Sequence, residues 1–298
     1  MRFGHTDAPV GLGLYSRAAH RSSAQIIREY STSFGMASRL LGRRVRAHVE
    51  NIYGLVRIAD EIVDGAAAEA GLDLDAQRAL LEAFEAETDS ALQAGYGTNL
   101  VVHAFATTAR TVGIGTELTA PFFASMRRDL NPAAFTADEM HDYIYGSAEV
   151  VGLMCLKAFL HGVPSVPSQR GRLEEGARAL GAAFQKINFL RDLRTDWSQL
   201  GRNYFPEIDP DCLTEAQKMG LVADIESDLD TAAAVIPNLP ADCRTAVVSA
   251  NGLFAALTRR IRDTPAADLL QTRIRVPTAM KLRIVFQAKT GARMRSTS

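Results

Sequence analysis

The feature of this sequence that most restricts its fold is a helical spacing of apolar residues along nearly its whole length. Apolar side chains recur every three or four residues in successive segments, which Gly, Pro, Asn and Asp separate. The alternation with a period of two that predicts strands is almost missing. The sequence therefore predicts an all-α fold of roughly ten helices. The predicted helices cover 22–41, 44–64, 75–93, 99–113, 117–130, 138–161, 169–198, 214–235, 240–262 and 278–289.

No repeat, low-complexity tract or linker divides these segments. We therefore predict a single domain over residues 22–298, with a loose, Gly-rich arm over residues 1–21 before it. The formal net charge is −1, so no overall positive field favours nucleic acid as a partner. Three widely separated cysteines form no CxxC pair, and no stretch approaches 18 uninterrupted apolar residues. We expect a cytoplasmic protein that does not span a membrane.

Two pairs of aspartates have the chemistry of a metal site. Asp60 and Asp64 lie in IYGLVRIADEIVDG, and Asp192 and Asp196 lie in AAFQKINFLRDLRTDW. On a helix, residues four apart share a face with Cβ atoms about 5–6 Å apart, so both carboxylates can bind one divalent cation. Both pairs follow strongly apolar helical turns, where an unpaired carboxylate is costly. This context favours a functional interpretation.

The same spacing also occurs twice more, so spacing alone is weak evidence. Asp138 and Asp142 open a predicted helix, and Asp224 and Asp228 lie in the acidic run DIESDLD. Acidic side chains suit a helix N-terminus, and a run of charge is typical of a solvated surface. We interpret these two pairs as surface residues.

Each functional pair has an arginine beside it. Arg57 precedes Asp60 by three residues, and Arg191 immediately precedes Asp192. Carboxylates bind magnesium while guanidinium groups bind phosphate oxygens, so this combination suits a metal–diphosphate complex. Structural ion pairs within the helices are the alternative. No GxxxxGK[ST] loop is present to hold phosphate in the manner of nucleotide hydrolases.

Five segments in order resemble the signature blocks of squalene and phytoene synthases, most closely the bacterial phytoene synthases. They are YSTSFGMASRLL (30–41), YGLVRIADEIVD (53–64), YIYGSAEVVGL (143–153), QKINFLRDLRTD (185–196) and GRNYFP (201–206). The resemblance extends over about residues 22–290. It implies the isoprenoid synthase fold, in which helices surround a central apolar cavity.

The resemblance also implies roles for individual residues. Magnesium, with manganese as a substitute, would be held by Asp60, Asp64, Asn188, Asp192 and Asp196. The diphosphates would be contacted by Ser31, Thr32, Ser33, Tyr53, Arg57, Gln185, Asn188, Arg191 and Arg202. Tyr143 would lie near the reacting carbons, in a catalytic role that the aspartates share.

Two positions depart from the family pattern. Glu149 stands where many relatives have glycine near the chain-binding tunnel, and Phe254 stands where a late helix often presents tyrosine. Phenylalanine lacks the hydroxyl that would hydrogen-bond the diphosphate. We expect slower turnover rather than inactivity from this change.

The resemblance implies a magnesium-dependent prenyl transferase. We expect it to join two geranylgeranyl diphosphates head to head, through a cyclopropyl diphosphate, to give phytoene for carotenoid synthesis without NADPH. Formation of squalene or dehydrosqualene from farnesyl diphosphate is one alternative, and a non-catalytic scaffold that binds prenyl diphosphates is another. The insoluble product leads us to expect loose attachment to the inner membrane face, and contact with upstream or downstream carotenoid enzymes.

Overall fold

The computed structural model describes residues 10–31, 33–131, 135–164, 167–200, 204–205, 208–209 and 211–291. The side chains of residues 33–34, 167 and 194–200 are not among those described. Over these ranges the chain forms helices, turns and loops, and no strand. The prediction of a single-domain all-α fold is confirmed.

Fourteen α-helices lie within the described ranges. They are α1 Leu12–Tyr30, α2 Ser33–Ser38, α3 Arg43–Asp64, α4 Ala66–Glu69, α5 Leu74–Ala94, α6 Leu100–Val112, α7 Thr116–Asp129, α8 Ala137–Ile144, α9 Val150–Leu160, α10 Pro167–Leu200, α11 Glu215–Val235, α12 Ala241–Asp263, α13 Ala266–Leu269 and α14 Thr278–Lys289. A π-helical turn, Tyr145–Glu149, joins α8 to α9.

The first helix begins earlier than predicted. We predicted a loose arm through residue 21, but α1 begins at Leu12, so that prediction was wrong from this residue onward. The signal was weak because the buried face of α1 starts only at Ala19, whereas Leu12 and Leu14 are exposed. The predicted helix 22–41 is also divided, since α1 ends at Tyr30 and α2 begins at Ser33.

Glycines let α9 approach α10 closely. A Cβ atom on Gly181 would lie 2.5 Å from the carbonyl oxygen of Ala148, and one on Gly152 would collide with the carbonyl oxygen of Ala177. Backbones can approach this closely only where no side chain intervenes. The contact fixes the position of α10 against the π-helical turn and α9.

Two helices position the functional segments relative to each other. Both α9 and α12 pack against α3, and both also pack against α10. The helices that carry the two acidic segments, α3 and α10, are therefore held by the same neighbours. The two acidic segments therefore share two packing neighbours.

One continuous helical stretch, Ala137–Leu160, is long and apolar enough to cross a membrane by length and composition. Its most apolar window is 56% buried inside the protein, and Val150 and Met154 are fully buried in a cluster with Phe122 and Phe123. Buried core helices pass the same test, and we interpret this stretch as one.

Candidate active site

The first acidic segment forms a row of charge along α3. The Arg57 guanidinium lies 2.5 Å from Glu61 Oε1 and 3.7 Å from Asp60 Oδ2. Arg57 also lies over the ring of Tyr30, 4.5 Å from its centroid, where α1 ends. Arg57 is thus held mainly by Glu61, which the sequence analysis did not single out although it is one turn away. Arg57 thus forms an ion pair within α3, as the alternative interpretation expected, but its nearer partner is Glu61 rather than Asp60.

Asp60 lies in a confined, negatively charged position. About a third of its side chain is exposed. Burial, followed by the charge of Asp64, raises the pKa of Asp60 to about 7, against the opposing effect of Arg57. A side chain that water reaches, but that protein surrounds on most sides, is typical of a cleft wall. Asp64 itself is exposed at the end of α3.

The turn between α1 and α2 meets the same face of α3. The Tyr53 side chain is half-buried and hydrogen-bonds the Ser31 side chain. Burial raises the pKa of Tyr53. The structure thus brings two of the predicted diphosphate contacts together. Thr32 lies outside the described residues, as does the side chain of Ser33.

The second acidic segment is paired with two arginines. Arg191 Nε donates to Asp192 Oδ1 at 3.0 Å. Arg273, from the segment before α14, places its Nε 2.8 Å from the same oxygen. Burial alone would raise the pKa of Asp192, but the hydrogen bond and charge of Arg191, with those of Arg273, lower it. Arg273 was not predicted, because an isolated arginine 81 residues from its partner carries no local signal.

The other predicted residues of this segment lie on α10 or beyond it. Gln185 and Asn188 are half-buried, two turns and one turn before Asp192, respectively. Asp196 belongs to α10, but its side chain lies outside the described residues, as does the whole of Arg202. Their predicted roles stay predictions.

Tyr143 links the two acidic segments. It is buried, its ring lies 5.9 Å from that of Phe189 on α10, and its hydroxyl donates to Asp129 Oδ1 at 2.7 Å. Burial, then the charges of Asp129, Tyr204 and Asp64, raise the pKa of Tyr143 well above its usual value. Asp64 is therefore close enough to act on it. The sequence offered no signal for Asp129, which lies in an ordinary helical end.

An aromatic pair lies on the face of α10 beside Gln185. The rings of Phe184 and Phe254 are 4.9 Å apart, and 39% of Phe184 is exposed. Large apolar side chains are usually buried on a helix that packs on both sides. The exposed part of this pair is available to contact an apolar ligand. Phe254, which lacks the tyrosine hydroxyl, therefore forms apolar surface at this position.

Glu149 is accounted for by a salt bridge. Its buried side chain accepts from Arg178 Nε at 2.6 Å. Both residues line a pocket of about 980 Å³ with Tyr145 and Lys186. None of the predicted metal or diphosphate residues lines this pocket. The acid at this position therefore has a partner outside the candidate site.

The two control pairs of aspartates differ from each other. Asp138 and Asp142 are exposed, as predicted. Asp224 and Asp228 were also predicted to be solvated, but they hold Lys186 at 2.6 and 2.8 Å, and Asp228 is half-buried. The prediction was wrong for Asp228, because Lys186 on neighbouring α10 packs against it, whereas Asp224 is exposed as predicted.

The donors available for a metal are hard oxygen atoms. Among the side chains that the structure describes, no three His, Cys, Asp or Glu residues come close enough together to hold a metal ion. Asp60 and Asp64 nevertheless repel each other, and Arg57 Nε is buried without an acceptor among the described residues. A divalent cation would offset the repulsion between the two aspartates, and an anion bound beside it would accept a hydrogen bond from Arg57 Nε.

The fold and the two acid–arginine groups define the class of this protein, an all-α protein of the isoprenoid synthase type. A solved dehydrosqualene synthase in complex with a ligand superposes with a TM-score of 0.74 at 20% identity, over 93% of this chain and 98% of that one. A squalene synthase from Alicyclobacillus acidocaldarius superposes with a TM-score of 0.65 at 20% identity, over 85% and 97%. These likenesses concern the fold.

A family model described as squalene/phytoene synthase matches residues 27–280. The chain belongs to the squalene/phytoene synthase family, whose members are prenyltransferase-type synthases. The chloroplastic phytoene synthase 3 of Zea mays is 31% identical over 205 residues, 67% of this chain and 45% of that protein. The phytoene synthase of Mycobacterium tuberculosis is 30% identical over 198 residues, 65% and 60% of the two chains. The match thus spans about half the length of these relatives.

Proposed function

We propose that this protein joins two geranylgeranyl diphosphates head to head to form phytoene, through a cyclopropyl (prephytoene) diphosphate, as the first step of carotenoid synthesis. The observation that carries the proposal is the pair of acid–arginine groups on two helices that share packing neighbours, Arg57 with Asp60 and Arg191 with Asp192. Each group brings the two charges that a metal diphosphate requires. The relatives named phytoene synthase support the choice of product.

The arginines would bind and orient the diphosphates. Arg57 has a buried Nε–H that lacks an acceptor among the described residues, and a phosphate oxygen would supply one. Arg191 and Arg273 hold Asp192 and would turn to phosphate oxygens when a diphosphate binds. Their positive charge stabilises the negative charge that develops as the carbon–oxygen bond breaks.

Asp60, Asp64, Asn188 and Asp192, with Asp196, would hold magnesium. Because no three carboxylates of the described side chains converge, diphosphate oxygens would be needed to complete the coordination. Bound magnesium supplies positive charge that makes diphosphate a better leaving group. Metal binding should therefore depend on the diphosphate.

The aromatic pair Phe184 and Phe254 would contact the prenyl chains and exclude water from the allylic cation. We assign the later proton transfers to the released diphosphate rather than to Tyr143. The Tyr143 hydroxyl donates to Asp129, and burial raises its pKa, so this side chain stays a protonated phenol. A protonated phenol does not act as a base.

The test is product analysis with two substrates. Purified protein is incubated with geranylgeranyl or farnesyl diphosphate, with and without magnesium and NADPH, and hydrocarbons and released diphosphate are measured. We expect magnesium-dependent phytoene that Asp60→Ala and Asp192→Ala abolish. The matched control Asp142→Ala, in an exposed pair of the same spacing, should keep activity. If the protein instead forms squalene or dehydrosqualene from farnesyl diphosphate, the proposal of phytoene synthesis is wrong. If it binds a prenyl diphosphate but releases no diphosphate, it is a non-catalytic scaffold.

We also propose that α14 attaches the protein to an anionic membrane surface. Leu282 and Phe286 lie one turn apart and are 57% and 67% exposed. Between residues 269 and 298 the sequence has seven Lys and Arg and no Asp or Glu. An exposed apolar strip within basic sequence is typical of helices that bind anionic lipid. Arg273 connects this region to Asp192, which would place the site close to the membrane that receives an insoluble product.

Sedimentation with vesicles tests the attachment. We expect binding to vesicles that contain phosphatidylglycerol, and weak binding to pure phosphatidylcholine. Replacing Leu282 and Phe286 by serine should release the protein. The matched control replaces Leu74 and Leu80, which are 50% and 44% exposed on α5. Equal sedimentation of both double variants would refute a role for α14. Cytoplasmic location and contact with other carotenoid enzymes stay predictions.

A further inference from the structure

A second concave site, outside the candidate active site, is strongly basic. It is a pocket of about 580 Å³ between α1, α2 and the start of α3. We name it the arginine pocket. Its charged side chains other than His20 are Arg17, Arg21, Arg28, Arg39, Arg46 and Glu50. Five arginines face one glutamate, so the formal charge is +4 with His20 neutral, in a chain whose net charge is −1.

Most of these arginines have no ionic partner. Within the described part of the chain, the side chains of Arg17, Arg21, Arg28 and Arg39 make no hydrogen bond or salt bridge. Arg46 donates to the carbonyl oxygens of Arg39 and Leu41, which fix its position without neutralising its charge. The pocket therefore keeps its positive charge in the folded protein.

The single acid in the pocket does not compensate this charge. Glu50 lies 3.6 Å from His20, so its nearest cationic partner is a histidine rather than an arginine. Elsewhere the protein pairs arginines directly, as in Arg44 with Asp242 and Arg178 with Glu149. The arginine pocket thus gathers five guanidinium groups around a single carboxylate.

The positions along α1 concentrate the charge. Arg17, Arg21 and Arg28 lie at helical intervals of four and seven residues, on one face. These three side chains are exposed, and like charges four residues apart on a helix repel each other. A bound anion would remove this repulsion. Guanidinium groups pair with phosphate oxygens in two parallel hydrogen bonds, which suits several arginines around one phosphate group.

The arginine pocket is separate from the candidate active site. Tyr30, which contacts Arg57, lies two residues after Arg28 and so on the other side of α1. Glu50 precedes Arg57 by seven residues, which is about 10 Å along the axis of α3. None of the predicted metal or diphosphate residues lines the pocket.

We propose that the arginine pocket binds a phosphate-bearing anion without a divalent cation. The anion is either a soluble diphosphate or the phosphate headgroup of an anionic lipid, because both present clustered phosphate oxygens. The pocket volume of about 580 Å³ lies within the range of small-ligand sites.

The soluble source is tested by calorimetric titration of the full chain with sodium diphosphate in EDTA. The variant carries Arg21→Gln and Arg39→Gln, one substitution on each of two walls. We expect binding at least about tenfold weaker than wild type, since each lost bond to a charged group is costly. The matched control carries Arg78→Gln and Arg172→Gln, two exposed arginines elsewhere, and should bind like wild type.

The lipid source is tested with the same two variants and vesicles of phosphatidylcholine containing phosphatidylglycerol. A loss confined to the Arg21/Arg39 variant supports the proposal in either assay, and the assay that shows it identifies the source of the phosphate. Equal behaviour of the two variants in both assays would overturn it. A second pocket variant, Arg17→Gln with Arg28→Gln, repeats the test should the first unfold at a lower temperature than the control.

Discussion

Arg273 offers the sharpest test of the proposed site, because under the proposed function it would exchange one partner for another. Its Nε lies 2.8 Å from Asp192 Oδ1, and about half of its side chain is exposed. We proposed that it turns to the diphosphate when substrate binds. The substitution Arg273→Gln removes the charge and keeps a polar side chain. Its effects on stability and on activity should therefore differ greatly in size.

The effect on stability should be small. Exposed salt bridges contribute below about 1 kcal/mol, and Arg191 still pairs with Asp192 in the variant. For a chain of this size the unfolding midpoint should fall by less than about 3 °C. The effect on activity should be larger, because a hydrogen bond to a charged group contributes about 1.5–3 kcal/mol. That loss corresponds to a decrease in kcat/KM of roughly tenfold to 150-fold.

The assay measures released diphosphate against substrate concentration, with magnesium in excess, beside a thermal unfolding curve. Arg275→Gln is the matched control, since Arg275 is exposed, lies two residues further on and forms no hydrogen bond or salt bridge with Asp192. If Arg273→Gln stays within twofold of this control in kcat/KM, the guanidinium does not act on the diphosphate. If it instead lowers the unfolding midpoint by 10 °C or so, far beyond an exposed salt bridge, its role is structural.

Three further substitutions test the geometry of the site and its scaffold. Asp60→Asn should raise the free energy of unfolding of the protein in EDTA. Because the pKa of Asp60 is about 7 in the folded state against an ordinary 3.8, this stabilisation should grow from pH 3.8 to about 7 and level off above it. A stabilisation that does not change with pH would contradict the raised pKa. Tyr143→Phe removes a donor from buried Asp129 and should lower the free energy of unfolding in urea by about 1–3 kcal/mol, whereas an unchanged value would show that the bond contributes nothing. Gly181→Ala should destabilise by about 1–3 kcal/mol through overpacking of the π-helical turn on α10. The control Gly220→Ala, with open space around it, should be neutral or stabilising, and equal effects would refute the close approach.

The sequence predicted the parts of this site that are local in the chain. Asp60 and Asp192 could be found because each follows an apolar helical turn and has an arginine within three residues. The helical bounds of α3 and α10 followed from the same periodicity. Glu61 could have been found as the partner of Arg57, since four residues along a helix is a contact distance.

The parts that could not be predicted depend on distant segments. Arg273 is 81 residues from Asp192, and Asp129 is 14 residues from Tyr143 across a turn. No periodicity within one helix encodes either pair, because tertiary packing decides which surfaces meet. The same holds for the arginine pocket, whose residues come from three helices that are unremarkable one at a time.

The ion pairs of the candidate site bear on how a charged substrate would enter it. Arg57 is held by Glu61, and Asp192 is held by Arg191 and Arg273, so these opposite charges already neutralise each other. A magnesium diphosphate carries the same two charges, and under the proposed function its entry would exchange partners: aspartates to the metal, arginines to the phosphates. Such an exchange would give each aspartate and each arginine a new partner of opposite charge, which offsets part of the desolvation cost that buried ion pairs ordinarily impose, while Glu61 would give up its bond to Arg57. Magnesium alone would take the aspartates and leave the arginines without partners, and diphosphate alone would take the arginines and leave the aspartates without partners. Metal and diphosphate should therefore bind together.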